Sequence, residues 1–308
     1  KIIKKFKIDR TKSVIEIGSN DGTFLKLIKD NSNCKVLGVD PSDVMCKLAN
    51  KKKINSINIF FNQSNSNKIQ KKYDKFDILY GANVFNHVDD PIDFLAGCKN
   101  VVKKNGIIIL EVPDLDSLFK NVGFDTIYHE HRNYFSRKSI ITVFRKINLN
   151  ILKIDNINYM AGSLRVYAIN QKSENKLENK NKFNKLKSNF INFKNRIFLV
   201  RKKILEFVNK YSRQKKIIVG LGAATKGNTL LNFCEITYNQ ITCILDNSPH
   251  KIGKYMPGSG IKIIDEKKFK KYDAAIILPW NITKHLYKKF LKNRKISYTS
   301  IAKVIKKN

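Results

Sequence analysis

Ser13-Val14-Ile15-Glu16-Ile17-Gly18-Ser19-Asn20-Asp21-Gly22 is the stretch that decides the fold. An apolar run closes on glycine and a polar turn follows, after which Phe24, Leu25, Leu27 and Ile28 recur at helical spacing. Next comes Lys35-Val36-Leu37-Gly38-Val39-Asp40, an apolar run ending on a carboxylate. Further apolar runs occupy residues 76–80 and 106–112. Strands alternating with helical stretches predict a parallel sheet covered on both faces. Residues 151–169 predict a closing pair of strands.

Beyond this unit, residues 173–216 hold neither glycine nor proline. Phe183, Leu186, Phe190, Phe193, Ile197, Val200, Ile204 and Phe207 recur there at steps of three and four, which predicts one or two long amphipathic helices. A second strand–glycine-turn–helix signature starts at Lys216-Ile217-Ile218-Val219-Gly220-Leu221-Gly222, with further strands at 241–246 and 273–278. The expected organisation is an α/β domain over residues 1–170, a helical connector over 171–216 and a second α/β domain over 217–308.

The 308 residues carry a net charge of +35, with 42% hydrophobic residues, enough apolar mass for sizeable cores. Only nine of the 60 basic residues are arginine. The lysines are spread along the whole chain rather than gathered with arginine and aromatic residues on one face. Together with plentiful Asn and Ile, this is the signature of A/T-rich codons and a solvated surface, so no nucleic-acid partner is expected. No apolar run has the length of a membrane span, and five cysteines without a CxxC pair suit a reducing cytoplasm. No membrane partner and no metal site within the chain are expected.

Glu16-x-Gly18-x-x-x-Gly22, with Asp40 ending the next strand, has the logic of a nucleoside site. Glycines admit close backbone approach, and the acidic strand end accepts ribose hydroxyls. The turn carries Asn20 and Asp21 and no cation, so it suits a zwitterionic or cationic ligand better than a phosphate. S-adenosylmethionine meets that demand. Downstream, Tyr128-His129-Glu130-His131 gathers two of the five histidines beside a carboxylate and a phenol. Acid/base chemistry near neutral pH is the functional reading of that cluster. The second turn, Gly220-x-Gly222-x-x-Thr225-Lys226, imitates a dinucleotide fingerprint with Asp246 downstream. Thr225 stands where that fingerprint wants a small residue, and Lys226 at a helix N-terminus suits a diphosphate.

Several stretches occur in order: Val14–Gly22 as quoted, Asn83-Val84-Phe85-Asn86-His87-Val88-Asp89-Asp90, Tyr128–His131, and Gly162-Ser163-Leu164-Arg165-Val166. After them come Gly220-Leu221-Gly222-Ala223-Ala224-Thr225-Lys226-Gly227-Asn228-Thr229-Leu230-Leu231-Asn232 and Leu278-Pro279-Trp280-Asn281. Together the chain resembles the sugar C-methyltransferases of deoxysugar biosynthesis over nearly its whole length. The resemblance implies a Rossmann-like class I methyltransferase domain, a helical connector and a second Rossmann-like α/β domain. Family members usually also carry a cysteine-built zinc-binding domain ahead of these motifs; no such domain is expected within these residues, which begin at Lys1.

By the same resemblance, Glu16, Gly18, Asn20, Asp21, Gly22, Asp40 and Asn83 hold S-adenosylmethionine. Arg165, Gly222, Lys226, Asn228, Asn232, Trp280 and Asn281 hold a nucleotide-linked 4-keto sugar. The family methylates a carbon, typically C3, beside the C4 ketone. His131 matches the general base, with Glu130, Tyr128 and His87 lining its pocket. A sugar O-methyltransferase and an NAD-dependent sugar-nucleotide oxidoreductase are the alternatives, and a monomer or homodimer is expected.

Overall fold

The computed structural model describes residues 2–158, 162–171, 183–292 and 294–306. They form two compact units: residues 1–116 with 130–179, and residues 117–129 with 180–308.

The first unit holds a seven-stranded sheet in the order β3-β2-β1-β4-β5-β7-β6. Its strands are β1 (Ser13–Ile17), β2 (Lys35–Asp40), β3 (Ser56–Asn58), β4 (Phe76–Ala82), β5 (Val102–Pro113), β6 (Asn150–Ile157) and β7 (Ser163–Ile169). The first five run parallel, while β7 pairs antiparallel with β5 and β6. The expected closing pair is therefore present. Val14, Ile15 and Ile17 of β1 are all buried, as a strand covered on both faces requires. Leu25 and Ile28 anchor the helix Thr23–Ser32 in the core. Each such burial is worth about 1.5–3 kcal/mol. Gly22 caps this helix with φ 72°, a conformation only glycine adopts cheaply.

The second unit is a five-stranded, all-parallel sheet in the order β10-β9-β8-β11-β12. Its strands are β8 (Ile218–Leu221), β9 (Cys243–Asp246), β10 (Ile263–Asp265), β11 (Ala274–Ile277) and β12 (Ser297–Thr299).

The expected separate connector is one helix, Phe183–Arg213, grouped by its contacts with the second unit. Phe193, Val200 and Ile204 of the stripe are buried, whereas Phe190 is exposed. The side chains of Phe183 and Leu186, and residues 173–182 of the expected helical stretch, lie outside the described residues. The boundary expected at residue 170 also misses residues 117–129, which leave the first unit for the second. Phe124 explains part of that grouping: it is buried, with its ring centroid 5.0 Å from that of Phe233. Among the described residues no helix is long and apolar enough to cross a membrane.

Candidate functional site

In the first unit the strand order reverses between β1 and β4, and ligands of open α/β sheets sit at the carboxyl ends flanking such a point. Two turns meet there. Gly18, at φ 70°, is so close to the turn after β4 that a Cβ added to it would stand 3.2 Å from the Val84 Cβ. Asn83 also has positive φ (53°), and its amide donates to the Glu111 carbonyl at 2.9 Å. Asp40 closes the crevice from β2. Its Oδ2 accepts from the Asn20 amide at 2.8 Å and its Oδ1 from the Ser42 amide at 2.9 Å.

Glu16 is the electrostatic anomaly of this crevice. It is buried and its Oε2 has no hydrogen-bond partner. Burial first, then the charges of Asp40 and Asp21, push its carboxyl up to about 9. A buried acid with an orphan oxygen among other acids is matched by a ligand that brings a positive charge. Gly18 supplies the close backbone approach, and Asp40 supplies a double acceptor. The residues present therefore fit S-adenosylmethionine. Asp21 is otherwise engaged: it binds Lys52 Nζ at 2.5 Å and accepts from the Thr23 amide, which lowers its pKa. Gly22 serves as the helix cap rather than as an open cradle.

Three of the acid/base residues, His87, Glu130 and His131, form a second group in the first unit. The loop after β4 is stitched to residues 131–133, since the Arg132 and Asn133 amides both donate to the Asn86 carbonyl, at 2.9 and 3.0 Å. His87 Nδ1 lies 2.7 Å from the Glu130 carbonyl oxygen. A carbonyl only accepts, so Nδ1 carries the proton and Nε2 is the nitrogen that can take another. The Glu130 main chain thus orients His87, while the Glu130 side chain is exposed. The His131 ring stands edge-on to His87 with centroids 5.0 Å apart, and Tyr134 lies 6.5 Å beyond. An extended strand would send alternate residues of 128–131 to opposite faces. The backbone instead bends at Tyr128 and turns through His129 and Glu130. Tyr128 and His129 group with the second unit, their ring centroids 6.2 Å apart.

Arg165 of β7 was expected at the substrate. Its Nε is bonded to the buried Glu111 at 2.6 Å, and Glu111 also accepts from the Tyr80 hydroxyl at 2.8 Å. Its first partner is therefore this internal carboxylate. Sequence reading passed over Asn86, whose side chain is 1% exposed with neither amide atom hydrogen-bonded. Its place between Asn83 and His87 was the only signal.

In the second unit the same kind of reversal falls between β8 and β11. Gly222 has φ 86°, and a Cβ on it would stand 2.9 Å from Pro279 in the turn after β11. Asp246, ending β9, is fully engaged by main chain: Oδ2 accepts from Ala223 at 2.7 Å and Oδ1 from Ser248 at 2.8 Å. Lys226 opens the helix Thr225–Phe233 with its Nζ buried and unpartnered, 5.5 Å from the Trp280 ring centroid. Burial pulls that ammonium below its usual value, against the charge of Asp125. Trp280 is itself buried and donates from Nε1 to Asp125 Oδ2 at 2.7 Å. Asp125 is fully buried, and burial raises its carboxyl to about 6 against that bond and against Lys226. Asn228 Oδ1 is another buried orphan. Asn232 holds the main chain at Asn228 and Pro257, whereas Asn281 is exposed. Sequence reading missed Asp125 as a partner of Lys226 and Trp280, because 155 residues separate it from the indole.

A methyltransferase-domain family model matches residues 1–154. The chain is an S-adenosylmethionine-dependent methyltransferase. A model described as the C-methyltransferase C-terminal domain matches residues 159–301. Over 294 residues the chain is 30% identical to C-methyltransferase NovU of Streptomyces niveus, covering 91% of this chain and 70% of that protein. It belongs to that C-methyltransferase family. It is also 26% identical over 175 residues to a ubiquinone biosynthesis O-methyltransferase of Pelagibacter ubique, covering 51% of this chain and 72% of that one. Among solved structures it is similar to the geranyl diphosphate C-methyltransferase of Streptomyces coelicolor, determined with S-adenosyl-L-homocysteine. That match has TM-score 0.41 and 11% identity, covering 53% of this chain and 71% of the other.

Proposed function

We propose that this C-methyltransferase acts on a nucleotide-linked 4-keto deoxysugar, methylating the carbon beside the ketone, C3, through an enolate. The observation that carries the reading is the pair of imidazoles, His87 and His131, with the Glu130 carbonyl fixing the tautomer of one of them. A carbon beside a ketone becomes nucleophilic only when a base removes its proton and a donor meets the developing oxyanion. In this reading His131 takes the proton. Tyr128 and His87 line the substrate, and the donor toward the enolate oxygen is the Tyr128 hydroxyl or, once its Nε2 is protonated, His87. Glu16, Gly18, Asn20, Asp40 and Asn83 hold S-adenosylmethionine, which supplies the electrophilic methyl group. Asp21 and Gly22 shape the same turn by fixing Lys52 and the helix start. The second unit is a Rossmann-like domain whose Gly222, Lys226, Asn228 and Trp280 hold the nucleotide end, with Asn232 and Asn281 beside them. Arg165 faces the substrate with whatever donors its bond to Glu111 leaves.

A second base is favoured by a specific observation. His87 is the imidazole whose Nε2 is left basic by a visible hydrogen bond, so it is the alternative to His131. The test is incubation with a 4-keto nucleotide sugar in deuterated water, without and then with methyl donor. Deuterium entering the carbon beside the ketone, and its loss in His131→Asn with turnover down about 10²–10⁴-fold, is the expected result. Exchange that survives in His131→Asn and disappears in His87→Asn transfers the role. Product methylated on oxygen, with no exchange at carbon, overturns the enolate reading.

A further inference from the structure

The geometry points to a second ligand site in the second unit, a cavity of about 570 Å³ that accepts a nucleoside phosphate. It lies between one face of the helix Phe183–Arg213, the edge strand β12 and the helices Thr283–Phe290 and Ile301–Lys306. No residue of the Gly222–Lys226 turn lines it, so it is separate from the nucleotide end proposed above and does not rest on that reading.

Two aromatic pairs furnish its walls. Phe207 and Tyr211, four apart on the long helix, have ring centroids 4.9 Å from each other. Tyr287 and Tyr298 are paired likewise at 5.1 Å. Four cationic residues line the same cavity: Lys203, Lys210, Arg294 and Lys303. Three of them are held in place. Lys203 pairs with Glu206 at 2.9 Å, Arg294 donates from Nη1 to the Lys270 carbonyl at 3.1 Å, and Lys303 donates to the Tyr298 carbonyl at 2.8 Å. Lys210 is exposed, with its Nζ 5.7 Å from the Tyr211 ring centroid. Among the described residues no Asp or Glu lines the cavity.

Lysine alone distinguishes nothing in a chain of net charge +35. The comparison with other cavities does. Those of about 280 and 470 Å³ in the first unit and about 330 Å³ in the second also contain Lys or Arg, yet none holds an aromatic pair. The 280 Å³ cavity is also lined by Asp77, which pairs with Lys103. Cations that attract phosphate, combined with aromatic faces that stack on a ring, are the two halves of nucleotide recognition. The volume lies within the usual range for small-ligand sites.

The experiment is calorimetric titration of the full chain with ADP, adenosine and inorganic pyrophosphate in 0.1 M salt, repeated on Lys210→Glu, Tyr287→Ala and Lys226→Ala. Lys210 and Tyr287 are exposed, so their replacement leaves the core intact. ADP is expected to bind at least ten-fold tighter than adenosine or pyrophosphate. Lys210→Glu and Tyr287→Ala should each weaken binding at this site five-fold or more and leave S-adenosylmethionine affinity unchanged, whereas Lys226→Ala should remove only ADP held at the glycine turn and keep this site's affinity. Absence of ADP binding up to millimolar concentration overturns the proposal. So does ADP binding lost in Lys226→Ala but intact in the other two, which places the nucleotide at the glycine turn. Pyrophosphate binding as tightly as ADP reduces the site to surface charge. A short single-stranded oligonucleotide binding tighter than ADP, with steep salt dependence, assigns the surface to nucleic acid instead.

Discussion

The two sheets build the same device and fill it with opposite chemistry. In each, the first strand ends on a positive-φ glycine, Gly18 or Gly222, pressed against the turn that follows the strand across the reversal, at Val84 or Pro279. In each, the next strand ends on an aspartate, Asp40 or Asp246, that grips one amide of the glycine turn and one amide two residues past itself. The difference lies two residues before the glycine. The first unit has the buried acid Glu16 there; the second has Gly220, where a Cβ would collide with Ile244. Past the glycine the second unit adds Lys226, whose Nζ is buried. One crevice is thus acid-rich and fits a cation, while the other holds an unpartnered ammonium, which in the proposed reading meets an anion. The shared backbone says how a ligand is approached, and the side chain two positions upstream or four downstream says which sign of charge is welcome.

The matched aspartates give the largest expected effect. Asp40→Ala and Asp246→Ala lose the same two main-chain hydrogen bonds, so loosening of the turn is common to both. S-adenosylmethionine affinity, measured by calorimetry, should fall ten-fold or more in Asp40→Ala and stay unchanged in Asp246→Ala. Equal losses in the two variants would mean that Asp40 serves the turn and not the ligand. NAD binding at the second turn, abolished in Asp246→Ala, would revive the oxidoreductase alternative.

Glu16 sharpens the contrast through pH. Its folded pKa, about 9, lies above the ordinary carboxylate range, so it stays protonated in the empty fold at neutral pH. A cationic ligand favours the ionised form, and binding releases that proton. Cofactor affinity should therefore rise several-fold between pH 6 and 8, and Glu16→Gln should flatten the rise. The same shift makes the empty fold less stable as pH climbs from about 4.5 toward 9, because the unfolded chain gives up its proton first. Glu16→Gln accordingly stabilises the apoprotein more at pH 8 than at pH 5, read by thermal unfolding. A pH-independent affinity in the unmodified protein removes Glu16 from the cofactor's surroundings. A smaller effect is expected at Lys226: Lys226→Met should raise the KM for a 4-keto nucleotide sugar a few-fold with cofactor affinity unchanged. An unmoved KM would make the second turn structural.

Much of this was legible in the sequence, and what was not has physical reasons. The runs closing on Gly18 and Gly222 and the pair of strands over 151–169 carry enough residues for a period to show. The strands β3, β10 and β12 are three residues each, too short to leave one. Asp246 stands 23 residues past Ala223 where Asp40 stands 20 past Asn20, yet its hydrogen bonds copy those of Asp40, since intervening helix length does not alter where the next strand ends. The individual letters at the acid/base cluster were readable. That His87 would be oriented by a main-chain carbonyl of residue 130 was not, because a carbonyl has no letter. Residues 117–129 were assigned to the first domain by their place in the chain, and a contact such as Phe124 with Phe233 has no local signal.

Asp125 tests the second crevice from underneath, and the effect is the smallest and most specific. Its carboxyl titrates at about 6 in the fold against 3.8 ordinarily, because burial disfavours its charge more than the Trp280 indole and Lys226 favour it. A raised carboxyl pKa leaves the fold at full advantage only below about pH 4. The loss grows as pH rises to about 6 and stays constant above it, at no more than about 3 kcal/mol for a shift of this size. Asp125→Asn keeps an oxygen for the indole Nε1–H and cannot ionise, so it is free of that cost. It also leaves Lys226 without a neighbouring carboxylate in a buried place, which restores part of the loss. The expected balance is a melting temperature raised by a degree or two at pH 8 and unchanged at pH 4. The double variant Asp125→Asn, Lys226→Met should gain more than the single one, because no buried charge is then left. A melting temperature that drops at pH 8 in both variants would mean that the Asp125–Lys226 attraction outweighs their burial, and the second crevice would then be a self-neutralised pair with no call for an anion.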